Sequence, residues 1–285
     1  MNFTFRQMRL FLALAETASV SAAAKVMHVT QPTASMQLKE ISASVGLPLY
    51  EVIGKKIYLT ETGKALAITA REITQSLASF EQLVYATKGI AKGHLRISVV
   101  STAKYFMPRL IGSFCKRYPM VDVSLEILNR DGVLGRLRHN TDDLYIMSIP
   151  PDDVALIDEV LMPNPIVVIA ASTDPLAKQH NVTLNELKNR RFILREPGSG
   201  TRMAADQYFR KKKFRADIRL ELGSNEAVKE SVAGGLGIGV ISQYALHGHQ
   251  KEHGVRVIDV DEFPLKSSWH LVHLAANNLS PIALA

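Results

Sequence analysis

The stretch from Val20 to Ile41 leaves this chain few ways to fold. Ala22, Ala23, Val26 and Met27 form a helical stripe too short to stand alone, and Val29-Thr30 interrupts it before a second helical pattern begins. Ser19 or Ser21 suits the N-cap of the first piece and Thr30 that of the second, where Pro32 falls in the first turn and its missing N–H costs nothing. Leu38, Ile41 and Val45 give the second piece a core-facing side, and Gly46 ends it. The leading end carries Gln31, Thr33, Ser35 and Gln37. Two short helices joined by a tight turn, the second led by short polar side chains, match a helix that enters a DNA major groove.

The flanks fit that unit. Phe5 to Thr17 repeats apolar residues at Phe5, Met8, Leu12 and Ala15, with Thr4 as N-cap. Leu49 to Thr60 reads as a hairpin with its tip at Gly54-Lys55, a wing beside the helices; Lys55 and Lys56 either contact phosphate or line a surface loop. Residues 62–90 form one long helix. Its Leu66, Ala70, Ile73, Leu77, Phe80 and Val84 recur at spacings of 4, 3, 4, 3 and 4, a period of a coiled coil rather than of a helix lying on its own domain. This seam is the expected dimerisation surface. Lys88-Gly89 ends the helix, and Lys92-Gly93 reads as a short hinge.

From His94 the pattern changes. Leu95–Val100, Val121–Leu128, Leu144–Ser148, Ile166–Ala170, Phe192–Leu194, Leu220–Leu222, Ile238–Ile241, Val255–Val260 and Trp269–Leu274 are strand candidates, and Tyr105–Arg117, Leu184–Lys188, Arg202–Lys211 and Glu226–Ala233 are helical. Such alternation predicts an α/β fold with largely parallel sheets.

Composition narrows the function. The net charge is +7, and it is denser at the start: ten Lys and Arg face six Glu over the first 92 residues, against 24 basic and 21 acidic residues in the rest. That suits a polyanionic partner at the N-terminal end. No apolar run is long enough to span a bilayer, no secretory leader is evident, and one cysteine, Cys115, suits a reducing compartment, with the cytoplasm the expected location. Cys115 falls in an apolar pattern and reads as a buried structural thiol. Gly234 to Gly239 is glycine-rich but lacks dinucleotide-binding order, and reads as a helix end leading into a strand. No phosphate-binding loop or nucleophile elbow occurs. His247, His249 and His253 read as solvated rather than metal-binding. No cofactor, metal site or catalytic residue is expected.

At this point the chain resembles the LysR-type transcriptional regulators over essentially its whole length. Phe5-Arg6-Gln7-Met8-Arg9-Leu10-Phe11, Ser21-Ala22-Ala23-Ala24, Thr30-Gln31-Pro32-Thr33-Ala34-Ser35 and Leu59-Thr60-Glu61-Thr62-Gly63 carry the resemblance. Within that family it is most similar to regulators of carbon-fixation (RuBisCO) operons in autotrophic bacteria, through Val99 to Phe106, Asp143 to Met147, Leu194 to Arg202 and Glu221 to Ala227. Two departures stand out. Val52 occupies a wing position that is polar or basic in many relatives, and the resemblance implies about one further helix beyond Ala285.

The fold implied is α/β: a winged helix-turn-helix domain over residues 1–60, a linker helix and hinge over 61–92, and an effector domain over 93–285. That domain would comprise two periplasmic-binding-protein-like subdomains, the first about 93–163 and 267–285, the second about 164–266. Gln31, Thr33, Ser35 and Gln37 are candidates for base contact, since glutamine pairs with adenine and the threonine methyl meets thymine. Arg9, Lys39, Lys55 and Lys56 are candidates for phosphate, with Thr30 and Pro32 shaping the helix start. Strand ends that lead into helices at Ser101-Thr102, Gly198 to Arg202 and Gly223 to Asn225 form an anion cradle, to which Arg202 or Arg195 adds charge; Ser101, Ser199 and Ser224 read otherwise as helix caps. The resemblance places the effector cleft at Ser101, Thr102, Asn129, Met147, Thr201 and Asn225. The expected partners are double-stranded promoter DNA, a second copy or a homotetramer, and a small anionic metabolite, a phosphorylated sugar or a nucleotide. Regulation would be allosteric, through the spacing of the DNA-binding heads. A carrier or an enzyme on the same α/β scaffold is the rival reading, and residues 1–90 argue against it.

Overall fold

The structure is a computed structural model that describes residues 2–54, 56–246 and 254–285. It divides into two compact units, one dominated by residues 1–90 and one by residues 91–285.

The first unit is three helices, a hairpin and a long helix. Thr4 opens α1 (Phe5–Thr17) with a capping box: its hydroxyl accepts from the Gln7 amide while the Gln7 side chain accepts from the Thr4 amide. Ser19, not Ser21, caps α2 (Val20–Val26), and Thr30 caps α3 (Gln31–Val45), which ends at Gly46 in the left-handed region, φ 78°. Leu10, Phe11 and Leu14 of α1, Ala23 and Ala24 of α2, and Ala34, Leu38 and Ile41 of α3 close around one core. Val26 is 57% exposed, contrary to its expected inward position; the turn of this short helix puts Ala24 inside instead. Strands β1 (Tyr50–Ile53) and β2 (Lys56–Leu59) pair as the antiparallel wing. Thr60 then caps α4 (Glu61–Thr87): its hydroxyl accepts from the Gly63 amide and donates to the Pro48 carbonyl.

The second unit contains two five-stranded sheets. The first has the order β4 (Val121–Leu128), β3 (Gly93–Val100), β5 (Leu144–Met147), β12 (Ser268–Leu274), β6 (Leu156–Pro163). The second has the order β11 (Val255–Ile258), β7 (Ile166–Ala171), β10 (Ile238–Ser242), β8 (Arg191–Arg195), β9 (Asp217–Leu222). Between them run α5 (Met107–Arg117), α6 (Arg130–Arg138), α7 (Gly200–Lys211) and α8 (Asn225–Ala233). Apolar faces of strands and helices pack as separate cores, Ile166 to Val260 under α7 and Leu95 to Ile282 beside α5.

The expectation of largely parallel sheets needs correction. Strand β3 is parallel to β4 and β5, and β8 to β9 and β10, but β12 runs antiparallel to β5 and β6, and β7 to β10 and β11. The antiparallel strands arise because the chain crosses from one sheet to the other twice. The crossings lie side by side: the Asn164 amide donates to the Ser267 carbonyl (2.8 Å), and Ile166 and Leu265 exchange both backbone hydrogen bonds. Buried Asn164 also accepts from the Ser242 hydroxyl at 2.7 Å.

Other expectations also shift. Strand β6 and helix α6 lie where none was read, residues 184–188 are turns rather than a helix, and Gly93 opens β3 rather than serving as a free hinge. Cys115 is half-buried on α5 rather than fully enclosed. The glycine-rich run does lead from the end of α8 into β10. Lys55, His247, His249 and His253 lie outside the described residues.

Candidate nucleic-acid interface and ligand cleft

Burial of Ala34, Leu38 and Ile41 fixes which side of α3 faces out. Gln31, Pro32 and Lys39 are exposed; Thr33, Ser35 and Gln37 are half-buried. Gln31, Ser35 and Lys39 follow one another at single-turn spacing on the outer face, with exposed Met36 beside them. The Thr30 hydroxyl accepts from the Thr33 amide and pairs with the Thr33 hydroxyl at 2.8 Å, so both threonines shape the helix start. The helix N-terminus adds a partial positive charge at the same end. Arg9 on α1 and Lys56 on the wing are exposed. Val52 and Ile53, at the end of β1, are 64% and 62% exposed.

On α4, Ala67 and Ala70 are buried and Leu66 is half-buried, because Ala70 packs with Met8 and Leu12 of α1. Further along, Ile73, Leu77, Phe80 and Val84 all lie open, Phe80 most at 61%.

In the second unit, β3, β8 and β9 end beside one another across the gap between the two sheets. Arg195, the last residue of β8, is 2% exposed. Its Nη1 donates to Asn225 Oδ1 at 3.1 Å and lies 3.5 Å from Thr102 Oγ1; its Nη2 lies 3.3 Å from Ser101 Oγ and 3.4 Å from the Gly223 carbonyl. Asn225 Nδ2 donates in turn to Thr102 Oγ1 at 3.1 Å. Thr102 and Asn225 are themselves buried. The two lobes are joined again a turn further on, where Glu226 accepts from Lys104 at 2.9 Å and from the Tyr105 hydroxyl at 2.5 Å. Burial and then the Glu226 hydrogen bond push the Tyr105 phenol well above its usual range, so it stays protonated as a donor. Burial works against ionised Glu226, but the Tyr105 and Lys104 hydrogen bonds outweigh it and hold its carboxyl below the ordinary value.

The structure thus brings together Ser101, Thr102 and Asn225 around Arg195. Thr201 is buried in the first turn of α7, whose Gly200 leaves no room for a β-carbon against the Ser148 hydroxyl of the other lobe. Three further expected residues lie at the ends of neighbouring strands or adjoin Arg195, but their side chains make other contacts. Asn129 caps α6, accepting from the Gly132 amide at 2.9 Å. Met147 packs its side chain among Val133, Leu134 and Leu137. Arg202 is committed to Asp206 and Glu221 and donates to the Arg195 carbonyl. Ser199 and Ser224 cap α7 and α8, whereas Ser101 faces the guanidinium. Arg195 was one of two arginines the sequence offered; its burial, which no local pattern encodes, separates it from Arg202.

A winged helix-turn-helix, a long helix with an open apolar stripe, and a two-lobed unit with a polar cleft together define a ligand-responsive transcription factor. Residues 5–64 match the bacterial regulatory helix-turn-helix domain of the lysR family, and residues 88–285 match the LysR substrate binding domain. The chain belongs to the LysR family of transcriptional regulators. It is 40% identical to the HTH-type transcriptional activator CmpR of Synechocystis, over 99% of this chain and 93% of that one. It is 42% identical to a RuBisCO operon transcriptional regulator of Acidithiobacillus ferrooxidans, over 98% of this chain and 90% of that one. Among solved structures, the regulatory domain of CcmR from Synechocystis PCC6803 in complex with 2-PG is 44% identical, covers 68% of this chain and 93% of its own, and superposes with a TM-score of 0.65.

Proposed function

We propose that this LysR-type regulator controls a carbon-fixation operon and responds to a small phosphorylated anion. The observation that carries the effector assignment is the buried Arg195 guanidinium meeting Ser101, Thr102 and Asn225 where the lobes face each other. A guanidinium beside hydroxyl and amide groups, which accept from it and can also donate, suits an oxyanion with several acceptor oxygens. Thr201, at the positive end of α7, adds to the same character. The names of the relatives, a RuBisCO operon regulator among them, support the operon assignment, and the 2-PG complex of CcmR supports a phosphorylated effector.

In this reading Gln31, Thr33, Ser35 and Gln37 read base edges, Arg9, Lys39, Lys55 and Lys56 hold phosphates, and Thr30 with Pro32 sets the start of the reading helix. Leu66, Ile73, Leu77, Phe80 and Val84 form the seam between two copies, and pairs of dimers make a tetramer. The working division is residues 1–60 for DNA, 61–92 for pairing and 93–285 for the effector, and the protein acts in the cytoplasm, where the promoter is.

The test is a gel shift with the full-length chain against the region upstream of the adjacent gene cluster. Discrimination of that DNA from random duplex at fixed salt, with a change in affinity or complex mobility on adding 2-PG, is expected. Equal binding to both duplexes would overturn the operon assignment; specific binding indifferent to 2-PG and other phosphorylated metabolites would overturn the effector.

A further inference from the structure

The five N–H donors of Arg195 are unevenly used. Nε and Nη2 form a two-point bridge to Glu196, at 2.7 and 2.8 Å. Its contacts with the cleft groups are all longer, 3.1 to 3.5 Å, and every acceptor there is neutral. The bidentate edge is the one with which arginine takes a carboxylate or phosphate best, and here the next residue in the chain already fills it.

The two partners differ in freedom. The Arg195 side chain is 2% exposed and the Glu196 side chain 26%, so the carboxylate is the member with access to water. Of the neighbouring cations, Arg202 is matched with Asp206 and Glu221, Lys104 with Glu226, and buried Lys229 donates to the Ala245 carbonyl beneath the Tyr105 ring. Arg195 is the cation in contact with Ser101, Thr102 and Asn225, and Glu196 balances its charge.

We propose that Glu196 is a built-in competitor for the effector. On binding, a phosphate-bearing anion takes the bidentate edge of Arg195, and Glu196 turns out to solvent. The Ser101 and Thr102 hydroxyls, acceptors from Arg195 before the exchange, are then free to rotate and donate to the added oxygens. Since one carboxylate is exchanged for another anion, a monocarboxylate gains little, whereas a phosphate supplies acceptors for Ser101, Thr102 and Asn225 as well. The swap thus acts as a filter against simple carboxylic acids. The inference rests on reading the cleft as an anion site.

Isothermal titration of the full-length chain with 2-PG and with inorganic phosphate, at fixed ionic strength, tests it. Glu196→Gln keeps the shape and removes the charge, and should bind both anions about tenfold more tightly than the unsubstituted chain, equivalent to about 1.4 kcal/mol. Glu196→Asp should return toward the original affinity. Glu196→Ala carries the same expectation as the glutamine variant should the amide disturb the turn. A role confined to holding the turn gives no reason for affinity to rise in the glutamine variant and fall back in the aspartate variant. Unchanged or weaker binding by the glutamine and alanine variants, with binding by the unsubstituted chain intact, would overturn the competitor and leave the anion site standing. No heat from any of the folded chains with either anion would overturn both.

Discussion

Gly63 lies so close to Leu49 that a β-carbon on it would overlap the Leu49 carbonyl oxygen. That carbonyl also accepts from the Thr60 amide, and Thr60 caps α4 through the Gly63 amide. Cap, glycine and the segment before the wing are therefore one joint. Gly63→Ala should destabilise the N-terminal unit by about 3 kcal/mol, because backbone rather than a flexible side chain must move. Gly112, on α5, has open space where a β-carbon would go, and Gly112→Ala should be neutral or stabilise by up to about 1 kcal/mol. Thermal unfolding followed by circular dichroism separates the two; equal effects would contradict the joint.

Gln31→Ala should weaken binding to the operator by about 1–3 kcal/mol while leaving random duplex little changed. Lys39→Ala and Lys56→Ala should weaken both alike and each reduce the slope of log affinity against log salt by about one. Fluorescence anisotropy over a salt series checks this. Equal losses on operator and random duplex for Gln31→Ala would move that residue to the phosphate-contacting set.

Phe80→Glu places a charge on the open stripe of α4, where Phe80 is 61% exposed. If that stripe is the seam between copies, the variant should sediment as a smaller species than the unsubstituted chain at equal concentration. Unchanged sedimentation would place the pairing surface elsewhere.

Glu226 gives the lobe contact a pH dependence. A carboxylate held below its ordinary value in the fold contributes stability that is complete above the unfolded value, 4.5, and is lost as pH falls through the folded one. The unsubstituted chain should therefore be more stable than Glu226→Gln at pH 6, and the difference should shrink below about pH 4. Thermal midpoints of both chains between pH 3 and 6 measure it; a constant gap would mean that Glu226 does not titrate within the contact.

The local signals in this chain were strong where short-range physics decides. Thr4 and Thr30 cap as their positions suggest, Gly46 ends α3 with a positive φ, and the strands of the second unit fall close to the apolar runs. Strand direction was not legible, because pairing sense is set by the two crossings between sheets and not by any local pattern. Strand β6 escaped because it is an edge strand whose Asp158, Glu159 and exposed Val160 break alternation. Helix α6 escaped because Gly132 and Gly135 depress its propensity. In the cleft, the stretches around Ser101, Gly198 and Gly223 stood out as strand-to-helix turns. Which side chains cap and which face inward depends on burial and on partners distant from any local pattern: Asn129 accepts from the Gly132 amide, whereas Ser101 faces Arg195.

The paired crossings at Asn164 and Ser267 restrict how the effector lobes can move. A single connecting strand would allow swivelling in any direction, but two that are cross-linked by hydrogen bonds resist torsion and yield most easily by flexing together. Relative movement of the lobes is thereby steered toward one hinge-like mode, so that a change in the contacts across the gap would register as a single angle.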